Sequence, residues 1–358
     1  MRKILVGTAS LSLGALLVLP ATAAFAVPTG PGDRAEAPTQ LFSDSSLRVA
    51  TIQANLTADA SGGLEAKLMG GTNPQAAQIA DSISEADADV VVLTNMDAEQ
   101  GAVDAFKDQY LNNEADDRTD IDYQYSYLAV GSKGLQSGAD LNADGVIGSA
   151  EDAWGQGAFE EQGSVVVLSK YPVDEEKITA VSKLKWQDVE NDQLHHTDLS
   201  GVLAASIPVM NTGLWDIPLE VGGQQVHVVA TQTEPEDANQ GYSQARHGDE
   251  LKVISDYLAG KDYVHTDQGR QAEGVGDEKF VVAGALDLRD ATENRLEPFL
   301  KGFAREDALN DAGSYLIPDA SWQVTGQGRI EQSDPPLEEA VPSTVEAPGS
   351  LIWTDIEF

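Results

Sequence analysis

The chain has 358 residues, of which 59 are Asp or Glu and 22 are Lys or Arg, so its formal net charge is −37 at pH 7. A surface this acidic repels nucleic acid and anionic membranes at long range, which argues against both as partners. Cysteine is absent, so disulfides are excluded and the fold must be held by its core, by metal ions or by both. The acidity suits an attraction for divalent cations, and equally the solubility or salt adaptation of an exported protein.

The N-terminus has the pattern of a secretory signal. Two basic residues precede a mostly apolar stretch, and Ala24-Phe25-Ala26 is a small-x-small cleavage site. We therefore predict a signal peptide over residues 1–26 and a mature protein that is secreted or associated with the cell envelope. An uncleaved membrane anchor is the alternative, which is disfavoured because Pro20 and the cleavage pattern follow an interrupted apolar run. No later apolar run is long enough to span a bilayer after cleavage.

Order is predicted to begin after a flexible leader. Residues 27–46 are rich in Pro, Gly and polar side chains, which is typical of a linker. Residues 47–358 show no domain boundary with a clear linker, so we predict one domain there. Its first elements are a strand in LRVATIQANL, a helix whose apolar residues recur at helical spacing, and a buried strand over residues 90–93.

The remaining elements mix strands with few helices. We predict strands in GSVVVLSKYPV, SIPVMNTGLWDIPLEV, GGQQVHVVATQ, KFVVAGALDL and SLIWTDIEF, with a hairpin at Gly222-Gly223 and a helix over residues 247–258. Residues 328–349 are acidic and Pro-rich and are predicted to form a loop. This order of elements predicts an α/β fold in which a two-layer β-sandwich is flanked by helices.

Residues 140–151, DLNADGVIGSAE, match the twelve-residue calcium-binding loop of an EF-hand. Side-chain oxygens stand at positions 1, 3 and 5, a glycine at 6, a backbone carbonyl at 7 and a glutamate at 12. The preceding segment LQSGA is a poor helix, so we expect a calcium loop without a full EF-hand pair. We predict a structural calcium ion bound by Asp140, Asn142, Asp144, Val146 and Glu151. A polar turn that binds nothing is the alternative.

Several segments resemble the endonuclease/exonuclease/phosphatase superfamily, the metal-dependent phosphodiesterases with the deoxyribonuclease-I-like fold. The similarity spans nearly all of residues 47–358 and is closest to secreted bacterial members. It is carried by LRVAT, GTNPQAAQIAD, GSVVVLSKYPV, LWDIPLEVGGQQVHVVA, RHGDEL, VVAGALDLRD and IWTDIEF. The resemblance implies a two-layer sandwich with its chemistry at the strand ends.

The positions that the family uses for chemistry carry other residues here. The resemblance implies an Asn on the first strand, a metal-binding Glu on the second, a His further on, the Asp and Asn of a GDLN motif, and a terminal Asp–His pair. The residues at these positions are Gln53, Asn95, Gln232, Ala285, Asp287, Pro348 and Gly349. Gln and Asn do not titrate near neutral pH, and Mg²⁺ usually requires a carboxylate. We therefore expect neither a resident Mg²⁺ nor the family's mechanism.

The sequence favours a catalytically inactive relative, a pseudoenzyme, that binds an unknown extracellular or cell-envelope ligand in the former cleft. An active divalent-metal-dependent phosphodiesterase or nuclease is the alternative, with relocated ligands such as Asp97, Glu234 and Asp287. A structural surface protein that acts through acidity and calcium is the third hypothesis. A new metal site built from the five histidines also remains open.

Overall fold

Two mixed sheets of six strands each form within the described residues of the computed structural model, which are 46–112, 121–142, 144–235, 241–287, 309–311, 313–332 and 348–357. These residues belong to one unit, Phe42–Phe358. The predicted signal peptide and nearly all of the predicted leader lie outside them. Within the same ranges, no helix is both long enough and apolar enough to cross a membrane.

The first sheet has β1 and β2 at its centre. Its spatial order is β11 (Gln323–Ile330), β12 (Leu351–Glu357), β1 (Ser46–Leu56), β2 (Val90–Met96), β4 (Ser164–Ser169) and β3 (Tyr125–Ala129). β1 and β2 run parallel, and the other neighbours are antiparallel. The register of β2 shifts near its C-terminal end against both neighbours, which marks bulges there.

The second sheet repeats this arrangement. Its spatial order is β5 (Thr179–Val181), β6 (Gly213–Val221), β7 (Gln224–Gln232), β8 (Lys279–Ala285), β10 (Ser314–Pro318) and β9 (Leu309–Asp311). β7 and β8 are its parallel pair. The C-terminal ends of a parallel pair lie at the same edge of a sheet, so each sheet places two strand ends side by side.

Apolar side chains form three layers of core. A central cluster joins the two sheets, with Val92 and Val165 of the first and Ile217 and Val228 of the second. A second cluster packs the outer face of the first sheet against α1 (Gly63–Leu68), α2 (Pro74–Ala86) and α3 (Gln100–Phe106). A third packs the outer face of the second sheet against α5 (Ser243–Leu258), and the short α4 (Gly201–Ala204) precedes β6. The α/β sandwich flanked by helices is thus confirmed.

The predicted elements are present, and several of them begin or end at other residues than predicted. α5 begins at Ser243, one turn before the predicted start. The strand predicted from SIPVMNTGLWDIPLEV begins only at Gly213. β11 extends to Ile330, so the loop predicted over residues 328–349 begins later, and residues 333–347 lie outside the described ranges.

Candidate functional site

The strand ends of the two sheets meet at a bridge between Asn95 and Gln232. Asn95 lies near the end of β2 in the first sheet, and Gln232 ends β7 in the second. The side-chain Oε1 of Gln232 accepts a hydrogen bond from the backbone N–H of Asn95 at 2.8 Å. The structure therefore brings two of the sequence-predicted positions into direct contact.

Lys133 places an ammonium group on this bridge. Its Nζ donates to Oδ1 of Asn95 at 2.9 Å and to the carbonyl of Gly163 at 3.0 Å. The Nδ2 of Asn95 donates to Oδ1 of Asn55 at 2.7 Å, and Nε2 of Gln232 donates to the same Gly163 carbonyl at 3.2 Å. The centre of the site is thus a network of neutral amides and one fixed cation.

The absence of a side chain at Gly163 leaves space for the contact between Lys133 and Asn95. A Cβ built on Gly163 would lie 2.5 Å from Oδ1 of Asn95 and 2.6 Å from Nζ of Lys133. The residue also has φ of +54°, a left-handed conformation that side chains with a Cβ rarely adopt. Any other residue here would displace the cation or strain the backbone.

Three polar residues turn the chain sharply at the strand ends. Asn55, Asn95 and Asp287 have φ of 51°, 53° and 41°. Asn and Asp tolerate this region better than other residues with a Cβ, because their short side chains bond locally. The turn at Asp287 is fixed by its backbone N–H, which donates to the carbonyl of Gly313 at 3.3 Å.

Gln53 and Gly349, two of the positions taken from the family pattern, are neighbours in the structure. The N–H of Gly349 donates to the carbonyl of Gln53 at 2.9 Å, and a Cβ on Gly349 would lie 3.4 Å from the Cβ of Gln53. Pro348 is half-buried beside them. Ala285 is buried and pairs with Gln232 in the sheet register. Neither Ala285, Pro348 nor Gly349 carries a group that exchanges protons or binds a cation.

Asp97 is a buried carboxyl whose two oxygens are both engaged. Oδ2 accepts from the N–H of Ala58 at 2.8 Å, and Oδ1 accepts from the N–H of Gly163 at 2.9 Å. Burial raises the pKa of Asp97 to about 6. Its geometry is that of a carboxyl that holds two loops together.

A pair of buried carboxyl groups, Glu234 and Glu250, ties the end of β7 to α5. Glu234 accepts a hydrogen bond from the hydroxyl of Ser243 at 3.2 Å, and burial raises its pKa. Glu250 accepts from the N–H groups of Asn211 at 2.6 Å and Glu234 at 2.8 Å. Burial raises the pKa of Glu250 to about 8, against the lowering effect of the Arg246 charge. These contacts tie α5 to the end of β7.

The predicted calcium ligands bond to their own loop. Asp140 accepts from the N–H groups of Asp144 at 3.1 Å and Gly145 at 2.9 Å. Asn142 accepts from the same Asp144 N–H at 3.1 Å, and Asp144 accepts from the N–H of Val146 at 2.7 Å. The side chains at positions 1, 3 and 5 therefore turn inward onto the loop backbone.

The carboxylate that closes this loop is Asp152, one residue after the predicted Glu151. Its oxygens accept from the N–H groups of Leu141 at 2.7 Å, Gly148 at 2.9 Å and Ser149 at 3.0 Å. The pKa of Asp152 is lowered, mainly because its carboxylate accepts the hydrogen bond from the N–H of Leu141. Glu151 is half-buried beside it in the short 3₁₀ turn Ala150–Asp152.

The sequence matches the model of one protein family. The model of the endonuclease/exonuclease/phosphatase family matches residues 62–284, which is more than half of the sequence. The chain belongs to this family. No curated protein matches the sequence.

Solved structures of similar fold include members of the same family. An endonuclease/exonuclease/phosphatase from Beutenbergia cavernae has 15% identity and a TM-score of 0.48, over 87% of this chain and 72% of its own. A beta toxin from Staphylococcus aureus has 18% identity and a TM-score of 0.45, over 86% and 99%. The sphingomyelinase C from Streptomyces griseocarneus has 18% identity and a TM-score of 0.43, over 87% and 99%. At these identities the likeness concerns the fold alone.

The relocated metal ligands considered from the sequence do not gather. Throughout the described ranges, no group of three or more His, Asp or Glu side chains is arranged to hold a metal ion. Asp97, Glu234 and Asp287 all lie in those ranges. The histidines do not form such a group either. His195 and His196 are exposed as expected, His247 donates to the carbonyl of Leu286 at 2.8 Å, and His227 faces Asp216.

Lys133 is the candidate-site residue that the sequence did not indicate. It lies in a loop between β3 and β4, where no periodic pattern marks a side chain as inward-facing. The one signal was its position in GSKG, a basic residue between glycines in a chain with few cations.

Proposed function

We propose that this protein is an exported member of the endonuclease/exonuclease/phosphatase family that does not hydrolyse phosphodiesters and acts by binding a ligand at its strand ends. One observation carries the proposal. Asn95, at the position of the family's metal-binding Glu, accepts a hydrogen bond from the ammonium of Lys133 at 2.9 Å. A divalent cation near this point would be repelled by the ammonium and would find no carboxylate at Asn95.

The chemistry of the site supports this proposal. Hydrolysis of a phosphodiester needs a cationic group at the phosphate, a base for the water and an acid for the leaving oxygen. Lys133 supplies positive charge, but Gln53, Asn95 and Gln232 neither accept nor release protons near neutral pH. Asp97 has a pKa suited to a base, yet both of its oxygens already accept backbone hydrogen bonds.

The same groups suit recognition of a polar ligand. Amide side chains offer both donors and acceptors, and Gln53 is half-buried at the strand ends. The net charge of −37 disfavours nucleic acid as that ligand. The signal pattern of residues 1–26 supports a partner that is extracellular or at the cell envelope.

A structural calcium ion in residues 140–151 is part of the proposal. The loop has an oxygen-bearing side chain at each expected position. Asp140, Asn142 and Asp144 also turn towards one another through the loop backbone. A calcium ion there would pin a long connection in a protein that has no disulfides.

Hydrolysis assays test the inactive site directly. The full-length mature protein is incubated with DNA, RNA and bis-p-nitrophenyl phosphate in the presence of Mg²⁺, Mn²⁺ or Ca²⁺. We expect no turnover above that of the double variant Lys133→Ala, Asn95→Ala. An active member of the same family, assayed in parallel, shows that the conditions support hydrolysis. Turnover by the wild type that disappears in the double variant would overturn the proposal.

A further inference from the structure

A buried cluster of Asp216, His227 and Tyr257 lies on the outer face of the second sheet. Nδ1 of His227 is 2.7 Å from Oδ1 and 2.9 Å from Oδ2 of Asp216, on the neighbouring strand. Tyr257 of α5 donates its hydroxyl to Oδ2 of Asp216 at 2.5 Å. The three residues are 2%, 8% and 1% exposed, so this is a built polar cluster inside an apolar layer.

The hydrogen bonds set the tautomer of a neutral His227. Both oxygens of Asp216 act as acceptors, so Nδ1 carries the proton, and Nε2 of the neutral ring has a lone pair. Nε2 is shielded from solvent and has no hydrogen-bond partner among the described residues. A buried acceptor without a donor destabilises the folded state. The fold therefore holds an oriented acceptor that nothing in the described chain uses.

His227 and Asp216 line a cavity of about 670 Å³. Its walls include the 3₁₀ turn Glu175–Lys177 and the loop that precedes β8. Gln225, two residues before His227 and on the same face of β7, also lines it. Because Nε2 is shielded from solvent, a ligand donor reaches it only if a lining side chain moves.

This cavity is separate from the strand-end site. His227 precedes Gln232 by five residues on β7, a distance of about 17 Å at about 3.3 Å per residue. The odd spacing also puts the two side chains on opposite faces of the sheet. Gln232 faces the first sheet through Asn95, whereas His227 faces the layer of α5.

The charges around the cavity are mainly negative. Asp216 lies at its base, and the other charged side chains in its lining are exposed: Glu176, Glu273, Asp277, Glu278, Lys177 and Arg270. Lys177 is already paired with Asp174, with Nζ 2.9 Å from Oδ2. The excess of carboxylates disfavours an anion, and a lone pair on Nε2 calls for a ligand that donates a hydrogen bond.

We propose that this cavity binds a small organic cation with N–H donors, an alkylammonium or guanidinium compound. Its head group donates to Nε2 of His227, and the exposed carboxylates offset its charge. Asp216 and Tyr257 are positioning residues that fix the imidazole and its tautomer. A metal ion is disfavoured, since within the described ranges no group of His, Asp and Glu side chains is arranged to hold one.

Calorimetric titration with putrescine, a diammonium, is the first test. At physiological ionic strength we expect one saturable site in the wild type and at least tenfold weaker binding in His227→Leu. This substitution removes the acceptor and leaves the formal net charge unchanged, so attraction to the acidic surface is equal in both proteins. His265→Leu, at an exposed histidine on the loop before β8, serves as the control and should bind like the wild type.

Equal affinity in the wild type and His227→Leu would overturn the proposal, because binding would then come from the acidic surface alone. Absence of saturable binding by putrescine and by agmatine, its guanidinium analogue, would overturn it as well. If His227→Leu does not fold, nitrogen NMR of the wild type decides. Putrescine should shift the Nε2 resonance of His227 while acetate and glycerol do not, and an unmoved resonance would refute the site.

Discussion

Asp97 provides a quantitative test of how the strand ends are held. Its buried carboxyl has a pKa of about 6 in the folded chain, against 3.8 for the free group, because burial disfavours the charged form. A folded pKa above the unfolded one means that the native state binds the proton more tightly. The stabilisation is therefore complete below pH 3.8 and is lost as the pH rises through about 6.

The expected size follows from this shift. Between pH 7.5 and pH 5 the medium moves from above the folded pKa to about one unit below it, and one unit corresponds to about 1.4 kcal/mol. Titration of Asp97 should therefore make the wild type about 1.4 kcal/mol more stable at pH 5 than at pH 7.5. The lower pH stays above the sequence pI of 4.1, so that aggregation is limited.

The assay is urea unfolding at both pH values, followed by tryptophan fluorescence. Asp97→Asn should be less stable than the wild type at each pH, since one amide N–H₂ meets a backbone donor at Ala58 or Gly163. It should also lack the pH-dependent gain of about 1.4 kcal/mol. Asp59→Asn, at an exposed residue beside Ala58, should follow the wild type. An equal change in stability with pH in the wild type and Asp97→Asn would contradict this role of Asp97.

Two further predictions concern the site and the loop. Gly163→Ala should destabilise the fold by roughly 1–3 kcal/mol in urea unfolding, because Ala is strained in the left-handed conformation and its Cβ displaces Lys133. Unchanged stability would mean that Lys133 and Asn95 are not packed against Gly163. Glu151→Gln should weaken calcium binding at least tenfold in calorimetric titration, because the bidentate ligand is lost, and equal binding in both proteins would remove residues 140–151 as the site.

Periodic elements were predictable from the sequence because their burial repeats. β1, β2 and β7 follow apolar patterns, and α2 has Ile79 and Ile83 buried on one face. β11 was missed because its Gly326 and Gly328 are typical of turns. A Cβ on Gly328 would lie 2.8 Å from the ring of Trp353, so this glycine makes room for a packed tryptophan on β12.

The candidate site was predictable only in part. The positions of Gln53, Asn95 and Gln232 follow from the family pattern on regular strands. Lys133 approaches from a loop, and a loop residue enters a site through long-range contacts that local spacing does not encode. Asp152 was missed for a similar reason, since a match to the calcium motif ends at Glu151 and ignores the carboxylate that receives the loop amides.

The ammonium of Lys133 is joined to the chain by covalent bonds. A site whose positive charge came from a bound metal would lose it to chelators or to dilution after export. At the strand ends of this protein the cation stays in place whatever the ionic content of the surroundings. Under the proposed function, ligand binding at the strand ends would therefore not depend on the metal supply.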